Sequence, residues 1–102
     1  MHIISHKKIR EFYEKHPKAE SSLDNWYRIV KNENFKTVAD VRRLFPSADL
    51  AGNFVVFNIG GNNYRLIAFI DYPMERLYIR HILTHGEYDK GKWKQDKWFR
   101  NT

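Results

Sequence analysis

The first third of the chain carries apolar residues at helical spacing, interrupted by a proline. Ser5 precedes the first run and is a plausible N-cap, and Pro17 ends or interrupts the helix that follows. A second helical pattern starts near Ala19. Its apolar stripe consists of Leu23, Trp26, Tyr27 and Val30. The pattern therefore predicts two helices, each with one apolar side to bury.

A third, shorter helix is predicted after these two. Thr37 and Asp40 have the spacing of a capping box, with Asp40 where Glu or Gln is usual. This helix must stop near Pro46, because a proline disfavours helical geometry in the residue before it. Residues 47–53 are predicted to form a loop.

From residue 54 onward the pattern changes from helix to strand. β-branched and aromatic residues fill 54–59, 64–70 and 77–83, with turn signals at 60–63 and 71–75. We expect a three-stranded antiparallel meander, which the apolar start at 1–4 can widen as an edge strand. Both strand faces are apolar, so the helices cover one face and another segment shields part of the other. The predicted fold is α+β, with N-terminal helices on one face of a small antiparallel sheet, in a single domain of residues 1–102.

Charge narrows the choice of partner. The 102 residues include 18 Lys and Arg against 12 Asp and Glu, a formal net charge of +6. So positive a small surface favours polyanions such as RNA, DNA, the ribosome or an acidic protein. The chain has no cysteine, which removes disulfides, thiolate nucleophiles and cysteine-based zinc sites and suits a reducing cytoplasm. No segment approaches the roughly 20 apolar residues of a membrane span, so we expect a cytoplasmic protein without a membrane partner.

Titratable residues concentrate where the last predicted strand ends, between residues 78 and 90. Cutting RNA without a metal requires a base for the ribose 2′-hydroxyl, a cation for the phosphate and an acid for the departing 5′-oxygen. Each well-placed acid or base contributes about 10²–10⁴ in rate. The candidate catalytic residues on this basis are Arg65, Arg80, His85, Tyr88 and Lys90.

His81 and three of the candidate residues also have a purely structural interpretation. A histidine inside a strand, such as His81, is more often half-buried than catalytic. Tyr88 fits equally well as a residue that packs a turn. Arg65 and Arg80 fit equally well as ion-paired surface groups.

A metal site is the rival chemistry at this strand end. His81, His85 and Asp89 are four residues apart, a spacing that aligns metal ligands on a helix. The segment through Leu83 is predicted as strand, where four residues span about 13 Å, whereas zinc ligands converge to about 2 Å from one ion. A site would need a sharp bend after Thr84 and a further ligand, so we expect no metal and no other cofactor.

The tail, residues 90–102, interleaves cations with aromatic rings. This composition is typical of surfaces that attract phosphates and stack on unpaired bases. The candidate RNA-binding residues are Lys92, Trp93 and Lys94, together with Asn62 in the turn. In the competing interpretation the tryptophans fold back onto the sheet, which is favoured for Trp93 because aromatic rings bury large apolar areas.

These residues together resemble the HigB toxin family. The resemblance is carried by Phe57-Asn58-Ile59-Gly60-Gly61-Asn62, Arg65, Tyr78-Ile79-Arg80 and Thr84-His85-x-Glu87-Tyr88-Asp89. It runs from the Met-His-Ile-Ile start to about residue 89. It implies a RelE-like fold and ribosome-associated cleavage of messenger RNA. It also implies neutralisation by a HigA antitoxin with a helix-turn-helix domain, so that DNA is contacted only indirectly, through the antitoxin.

Among the candidate catalytic residues, Arg65, Arg80, His85 and Tyr88 match the family pattern, and Lys90 lies at its end. The hypothesis is metal-independent attack of a 2′-hydroxyl on the scissile phosphate. His85 acts as base or acid, Tyr88 orients the substrate or shares the proton transfer, and the two arginines hold the phosphate.

Two rivals remain. The first is a non-enzymatic inhibitor that occupies RNA or the ribosome and needs no proton transfer from His85. The second is a DNA-binding regulator, which fits less well because no helix combines a basic face with a helix-turn-helix connection.

Overall fold

One five-stranded sheet organises the computed structural model, which describes residues 1–100. Asn101 and Thr102, the end of the predicted tail, lie outside the described residues. The strands are β1 (His2–Ile4), β2 (Asp49–Ala51), β3 (Phe54–Ile59), β4 (Tyr64–Asp71) and β5 (Arg76–Thr84). Their spatial order is β1-β5-β4-β3-β2, and β1 is parallel to β5 whereas the other pairs are antiparallel.

Helices precede and follow the sheet within residues 1–100. They are α1 (His6–Lys15), α2 (Glu20–Lys31), α3 (Val38–Leu44) and α4 (His85–Lys90), with 3-10 turns at Pro17–Ala19, Lys92–Gln95 and Lys97–Phe99. The α+β class with N-terminal helices is thus confirmed. None of the helices in this range is long and apolar enough to cross a membrane.

The main core lies between the N-terminal helices and one face of the sheet. Leu23, Trp26 and Val30 are buried on α2, as the stripe predicts, and Tyr27 packs at the edge of the core. The Trp26 ring meets Phe57 of β3 edge-on at 5.3 Å. Burying each such side chain contributes about 1.5–3 kcal/mol, so this face supplies most of the apolar stabilisation.

The helix ends agree with the capping and stop signals of the sequence at α3 and at the end of α1, but not fully at the start of α1. The Asp40 carboxylate accepts a hydrogen bond from the backbone N–H of Thr37, as a capping box requires, and a second from the N–H of Lys36; both bonds lower its pKa. α1 ends at Lys15, before Pro17, as predicted. Ser5 stands at the N-cap but its side chain makes no capping hydrogen bond, because its backbone is left-handed with φ of 84°.

The predicted loop at 47–53 is wrong in its centre. Residues 49–51 form β2, which pairs antiparallel with the start of β3 in the register Ala51 to Phe54. A two-residue turn, Gly52-Asn53, joins the strands, and Gly52 has the positive φ that such turns place on glycine. The strand escaped prediction because its three residues are too few to show alternation.

The C-terminal tail covers the second face of the sheet. Trp93 and Phe99 are buried there against the strand residues Phe54, Val56 and Ile67. The Asn53 backbone N–H also donates to the Phe99 carbonyl at 2.9 Å. Shielding of the second face, expected from two-sided apolar strands, is therefore confirmed, and the tail provides it.

A β-bulge in β5 determines which side chains reach this second face. Ile67 pairs with His81 while the next residue, Ala68, pairs with Ile79, so Arg80 is the extra residue. Ile79 and Ile82 both face the main core in consequence. The consecutive side chains of Arg80 and His81 both reach the tail on the opposite face.

The turn glycines provide a test of how the tail is seated. A Cβ at Gly52 would lie 2.5 Å from the Phe99 carbonyl oxygen, whereas one at Gly61 meets nothing within 4 Å; both have positive φ. In urea unfolding we expect Gly61→Ala to lose about 1 kcal/mol from backbone strain alone. Gly52→Ala should lose about 2–4 kcal/mol, because Phe99 must move. Equal losses would show that the tail does not rest on this turn.

Candidate active site

The candidate site lies at the end of the sheet where the β3–β4 turn meets α4. Tyr64 pairs with Thr84 and Arg65 with Leu83, so the start of β4 adjoins the end of β5. The backbone N–H of His85 donates to the Asn63 carbonyl at 3.0 Å. This hydrogen bond ties the first residue of α4 to the Gly-Gly-Asn-Asn turn.

Arg65 is the buried charge of this end of the sheet, with 8% of its surface exposed. Its Nη1 donates to the carbonyls of Asn62 and Tyr64, and its Nη2 donates to the Asn62 side-chain oxygen. The guanidinium lies over the Tyr88 ring, 5.4 Å from the ring centroid. Asn62, Arg65 and Tyr88, here called the Arg65 cluster, thus hold a cation in a fixed position.

Tyr88 connects this cluster to the tail. Its ring stacks on Trp93 at 5.2 Å with an interplanar angle of 8°, and the Trp93 Nε1 donates to the Tyr88 carbonyl. Burial is the largest influence on the Tyr88 hydroxyl and raises its pKa. The phenol is therefore protonated at neutral pH and suited to donate a hydrogen bond or a proton.

α4 presents His85 at its first turn. The Thr84 backbone N–H donates to the Glu87 carboxylate at 2.9 Å, and the Glu87 N–H donates to the Thr84 hydroxyl at 3.2 Å. This helix is not among the predicted elements, although Thr84-x-x-Glu87 is the signature of a capping box. The His85 Nδ1 lies 2.9 Å from the Asp89 carboxylate one turn later. The His85 side chain is 43% exposed, and its Nε2 makes no hydrogen bond within residues 1–100.

A second set of titratable groups is built around Asp96 of the tail. Arg80 donates from Nε and Nη2 to the two carboxylate oxygens at 2.9 and 2.8 Å. The His81 Nε2 is 2.8 Å from the same carboxylate, and the Trp98 ring lies 3.9 Å from the Arg80 guanidinium. We call Arg80, His81, Asp96 and Trp98 the Asp96 cluster. The Asp96 side chain is only 4% exposed, so the cluster is a buried anion held by two strand residues.

The hydrogen bonds determine the charge states of this cluster. Burial by itself raises the pKa of Asp96, but the hydrogen bonds from Arg80, the Trp98 N–H and His81 together hold it well below its usual range. The pKa of His81 is lowered: burial is the largest cause, the charges of Lys8 on α1 and of Arg80 act in the same direction, and the hydrogen bond and charge of Asp96 oppose them. At neutral pH Asp96 is therefore ionised and His81 is neutral.

A cavity of about 310 Å³ adjoins the Asp96 cluster. We call it the lysine cavity, and its lining residues are His81, Leu83, Glu87, Lys90, Lys92 and Trp93. A second cavity, of about 290 Å³, lies between α1 and β5 and shares His81 and Leu83 with the first. Two lysines, a neutral histidine and an indole supply the groups of a phosphate and base site. Glu87 also lines the cavity, and its carboxylate accepts a hydrogen bond from the Thr84 N–H.

The structure divides the candidate residues from the sequence between these features. Arg65 and Tyr88 are in contact beside His85, and Asn62 lies against Arg65. Lys90, Lys92 and Trp93 share the lysine cavity, and Lys94 lies over the Trp93 ring. Arg80 is separate from both sets, because Asp96 occupies one edge of its guanidinium. Trp93 packs on the sheet, as the competing interpretation of the tail had it.

The sharp bend that a metal site would require does exist after Thr84, where α4 begins. Within residues 1–100, however, no group of three or more His, Asp or Glu side chains is arranged to hold a metal ion. His85 contacts Asp89, whereas His81 contacts Asp96 instead. The two histidines therefore belong to separate His–Asp pairs.

Helices on one face of a small, mostly antiparallel sheet, with cations and histidines at one end, define a basic α+β domain compatible with the RelE-like class. Residues 19–91 match the HigB toxin family, described as the RelE-like toxic component of a toxin-antitoxin system. The mRNA interferase HigB of Escherichia coli O6:H1 is 38% identical, over 88% of this chain and 90% of that protein. The mRNA interferase toxin HigB of E. coli K12 and the mRNA interferase HigB of Shigella flexneri are each 33% identical, over 87% of this chain and 88% of theirs. The chain belongs to the HigB toxin family.

Replacing Asp96 tests the energetics of its cluster. Asp96→Asn should lower the free energy of unfolding at pH 7 by about 2–3 kcal/mol, less than for a fully buried pair because Arg80 keeps 27% side-chain exposure. The folded pKa lies below the unfolded value of about 3.9, so this stabilisation is complete above about pH 5 and shrinks as the pH falls below about 4. Chemical denaturation at several pH values measures it. Asp89→Asn, at an exposed pair, is the control and should change stability by less than about 0.5 kcal/mol. An equal loss at pH 7 and pH 3 would contradict the assignment.

Proposed function

We propose that this protein is the toxin of a toxin-antitoxin pair and that it cleaves messenger RNA without a metal, by attack of a 2′-hydroxyl on the adjacent phosphate. Its relatives carry the name mRNA interferase. The observation that carries the mechanism is the Arg65 cluster, a fixed cation against a protonated phenol, at the end of the sheet where α4 begins with His85. The His85 backbone N–H is bonded to the turn that holds Asn62 and Asn63, so the imidazole starts from the same end of the sheet. Because the substrate is messenger RNA, we expect the protein to act in the cytoplasm.

The reaction needs two proton transfers and the replacement of one oxygen on phosphorus by another. A base removes the 2′-hydroxyl proton, and the oxygen's electron pair forms a bond to phosphorus. The bond from phosphorus to the 5′-oxygen breaks, and that oxygen receives a proton from an acid. The products are a 2′,3′-cyclic phosphate and a 5′-hydroxyl, and the cyclic phosphate can open later to a 3′-phosphate.

His85 is the proton-transfer residue of this proposal. Asp89 is positioned to accept a hydrogen bond from its Nδ1, which leaves Nε2 directed to other partners. Tyr88 orients the substrate or shares the proton transfer, and its raised pKa suits it to donate. A positioned electrostatic group such as Arg65 contributes about 10²–10³ in rate by neutralising the phosphate oxygens.

The remaining cations bind and position the RNA. Arg80 keeps Nη1, which makes no hydrogen bond within residues 1–100, for one phosphate oxygen. Lys90 and Lys92 supply cations to the lysine cavity, which Trp93 also lines. Lys94 adds charge beside that ring, and Asn62 acts on RNA through the orientation of Arg65.

The partners in this proposal follow from the family and the charge. We expect an antitoxin of the HigA type, with a helix-turn-helix domain, to neutralise the toxin, so that DNA is contacted only through the antitoxin. We expect cleavage on the ribosome, where messenger RNA is presented as a single strand. The net charge of +6 favours association with both messenger RNA and ribosomal RNA.

The cleavage chemistry is tested with a 5′-labelled messenger RNA, incubated with the toxin in EDTA as free RNA and, in a magnesium-containing reaction, on programmed ribosomes. Wild-type protein should give 2′,3′-cyclic phosphate or 3′-phosphate ends in both, and faster on ribosomes. His85→Ala should lower the single-turnover rate by about 10²–10⁴. His2→Ala, at an exposed position on β1, is the matched control and should cleave at the wild-type rate.

Two results would contradict the proposal. Undiminished cutting by His85→Ala would remove His85 from the mechanism. Growth arrest by a His85→Ala, Tyr88→Ala double variant, with messenger RNA intact, would favour the non-enzymatic inhibitor of RNA or the ribosome.

A further inference from the structure

We propose that His81, held by Asp96, is a second proton-transfer residue of the RNA cleavage reaction and acts at the lysine cavity as its base. This inference rests on the proposed function and adds a residue that the sequence analysis treated as structural. Asp96 is then a positioning residue, since it acts on RNA only through His81. Three features of the structure carry the inference.

The first feature is the bulge at Arg80, which changes the direction of the side chain that follows it. With regular alternation, Arg80 and His81 would lie on opposite faces of β5. Because Arg80 is the extra residue, both side chains reach the same carboxylate of Asp96. β-bulges often re-aim a side chain beside an active site.

The second feature is the tautomer that Asp96 imposes. An ionised carboxylate only accepts hydrogen bonds, so the His81 nitrogen at 2.8 Å from it, Nε2, carries the proton. A neutral imidazole then has its lone pair on Nδ1, which makes no hydrogen bond within residues 1–100. Burial, together with the neighbouring charges of Lys8 and Arg80, lowers the pKa of His81 and so keeps the ring neutral at pH 7, as a general base requires.

The third feature is the setting of the ring. His81 lines the lysine cavity together with Lys90, Lys92 and Trp93, so the imidazole shares one recess with two cations; Glu87 also lines it, and its carboxylate is bonded to the Thr84 N–H. On the neighbouring strand β4, Arg65 pairs with Leu83 and Ile67 pairs with His81. Arg65 and His81 are therefore diagonal neighbours, whose Cα atoms lie about 7–8 Å apart in an antiparallel pair. A phosphate between them would lie within reach of the fixed cation and of the imidazole.

The proton balance of the reaction is then complete. His81 Nδ1 takes the 2′-hydroxyl proton as the new bond to phosphorus forms. His85 gives a proton to the 5′-oxygen as the old bond breaks, and solvent restores both histidines before the next turnover. His81 lies on β5 and His85 begins α4 directly after that strand, with positions 81 and 84 about 10 Å apart along β5.

The decisive variant keeps the contact with Asp96 and removes the base. The glutamine side-chain amide of His81→Gln can donate to Asp96 in place of Nε2 but accepts no proton at neutral pH. We expect its single-turnover cleavage rate to fall about 10²–10⁴-fold while its thermal unfolding midpoint changes little. His2→Gln is the matched control and should cleave at the wild-type rate. An unchanged rate in His81→Gln would overturn the inference.

Two further readouts separate catalysis from a structural role. In His81→Ala, added imidazole should restore cleavage, with the pH dependence of free imidazole. In Asp96→Asn the acid limb of the rate profile should move to lower pH, because Asp96 no longer opposes the effect of burial on the His81 pKa. The inference would be overturned if imidazole did not restore cleavage in His81→Ala and the acid limb did not move in Asp96→Asn. Faster cleavage in Asp96→Asn would also overturn it, because that result would mean that the tail blocks the site.

Failure of this inference is distinguishable from failure of the proposed function. If His81→Gln cleaves normally while His85→Ala does not, and cyclic phosphate ends persist, the inference fails and the proposed function stands. If wild-type protein leaves no cyclic phosphate or 3′-phosphate ends, the proposed function itself fails.

Discussion

The bond between Asp96 and β5 is the constraint on which the rest of the structure depends. A carboxylate this buried is costly unless its oxygens are fully paired, and Arg80 and His81 pair both of them. The bond fastens the tail to the sheet, so that Trp93 and Phe99 cover a face that would otherwise expose Phe54 and its apolar neighbours. Stability of the second face and placement of the titratable groups thus have one cause.

The same constraint organises the chemistry. Once the tail is fixed, Trp93 supports the Tyr88 ring, and Tyr88 in turn lies against Arg65. Arg65 and Tyr88 are therefore held by packing rather than by a flexible loop, which is what the precise positioning of the proposed mechanism demands. In the proposed mechanism, the seated tail keeps Tyr88 and Arg65 in place at this end of the sheet.

Much of the fold follows from local patterns, because a pattern of alternation or helical spacing reports burial directly. The strand at 54–59 and the buried stripe of α2 were predictable for this reason. The contact of Asp96 with Arg80 was not predictable, since it joins residues that are 16 apart in the chain. It also depends on a β-bulge, which no hydrophobic periodicity indicates. The sequence groups Arg80 with the other candidate residues, whereas in the structure the bulge directs its side chain to Asp96 of the tail. The start of α4 at His85 could have been found from its capping box, had the polar run not been treated as irregular.

The central claim is that one RNA phosphodiester is cleaved between the two histidines at this end of the sheet. It is tested most directly by following the ring nitrogens of all histidines by NMR, during titration with a messenger RNA fragment that carries a 2′-deoxy sugar at the cleavage position. That fragment binds but cannot react. The account predicts saturable shifts at His81 and His85, with those of His2 and His6 unmoved. Binding of the fragment without a response at either His81 or His85 would contradict it.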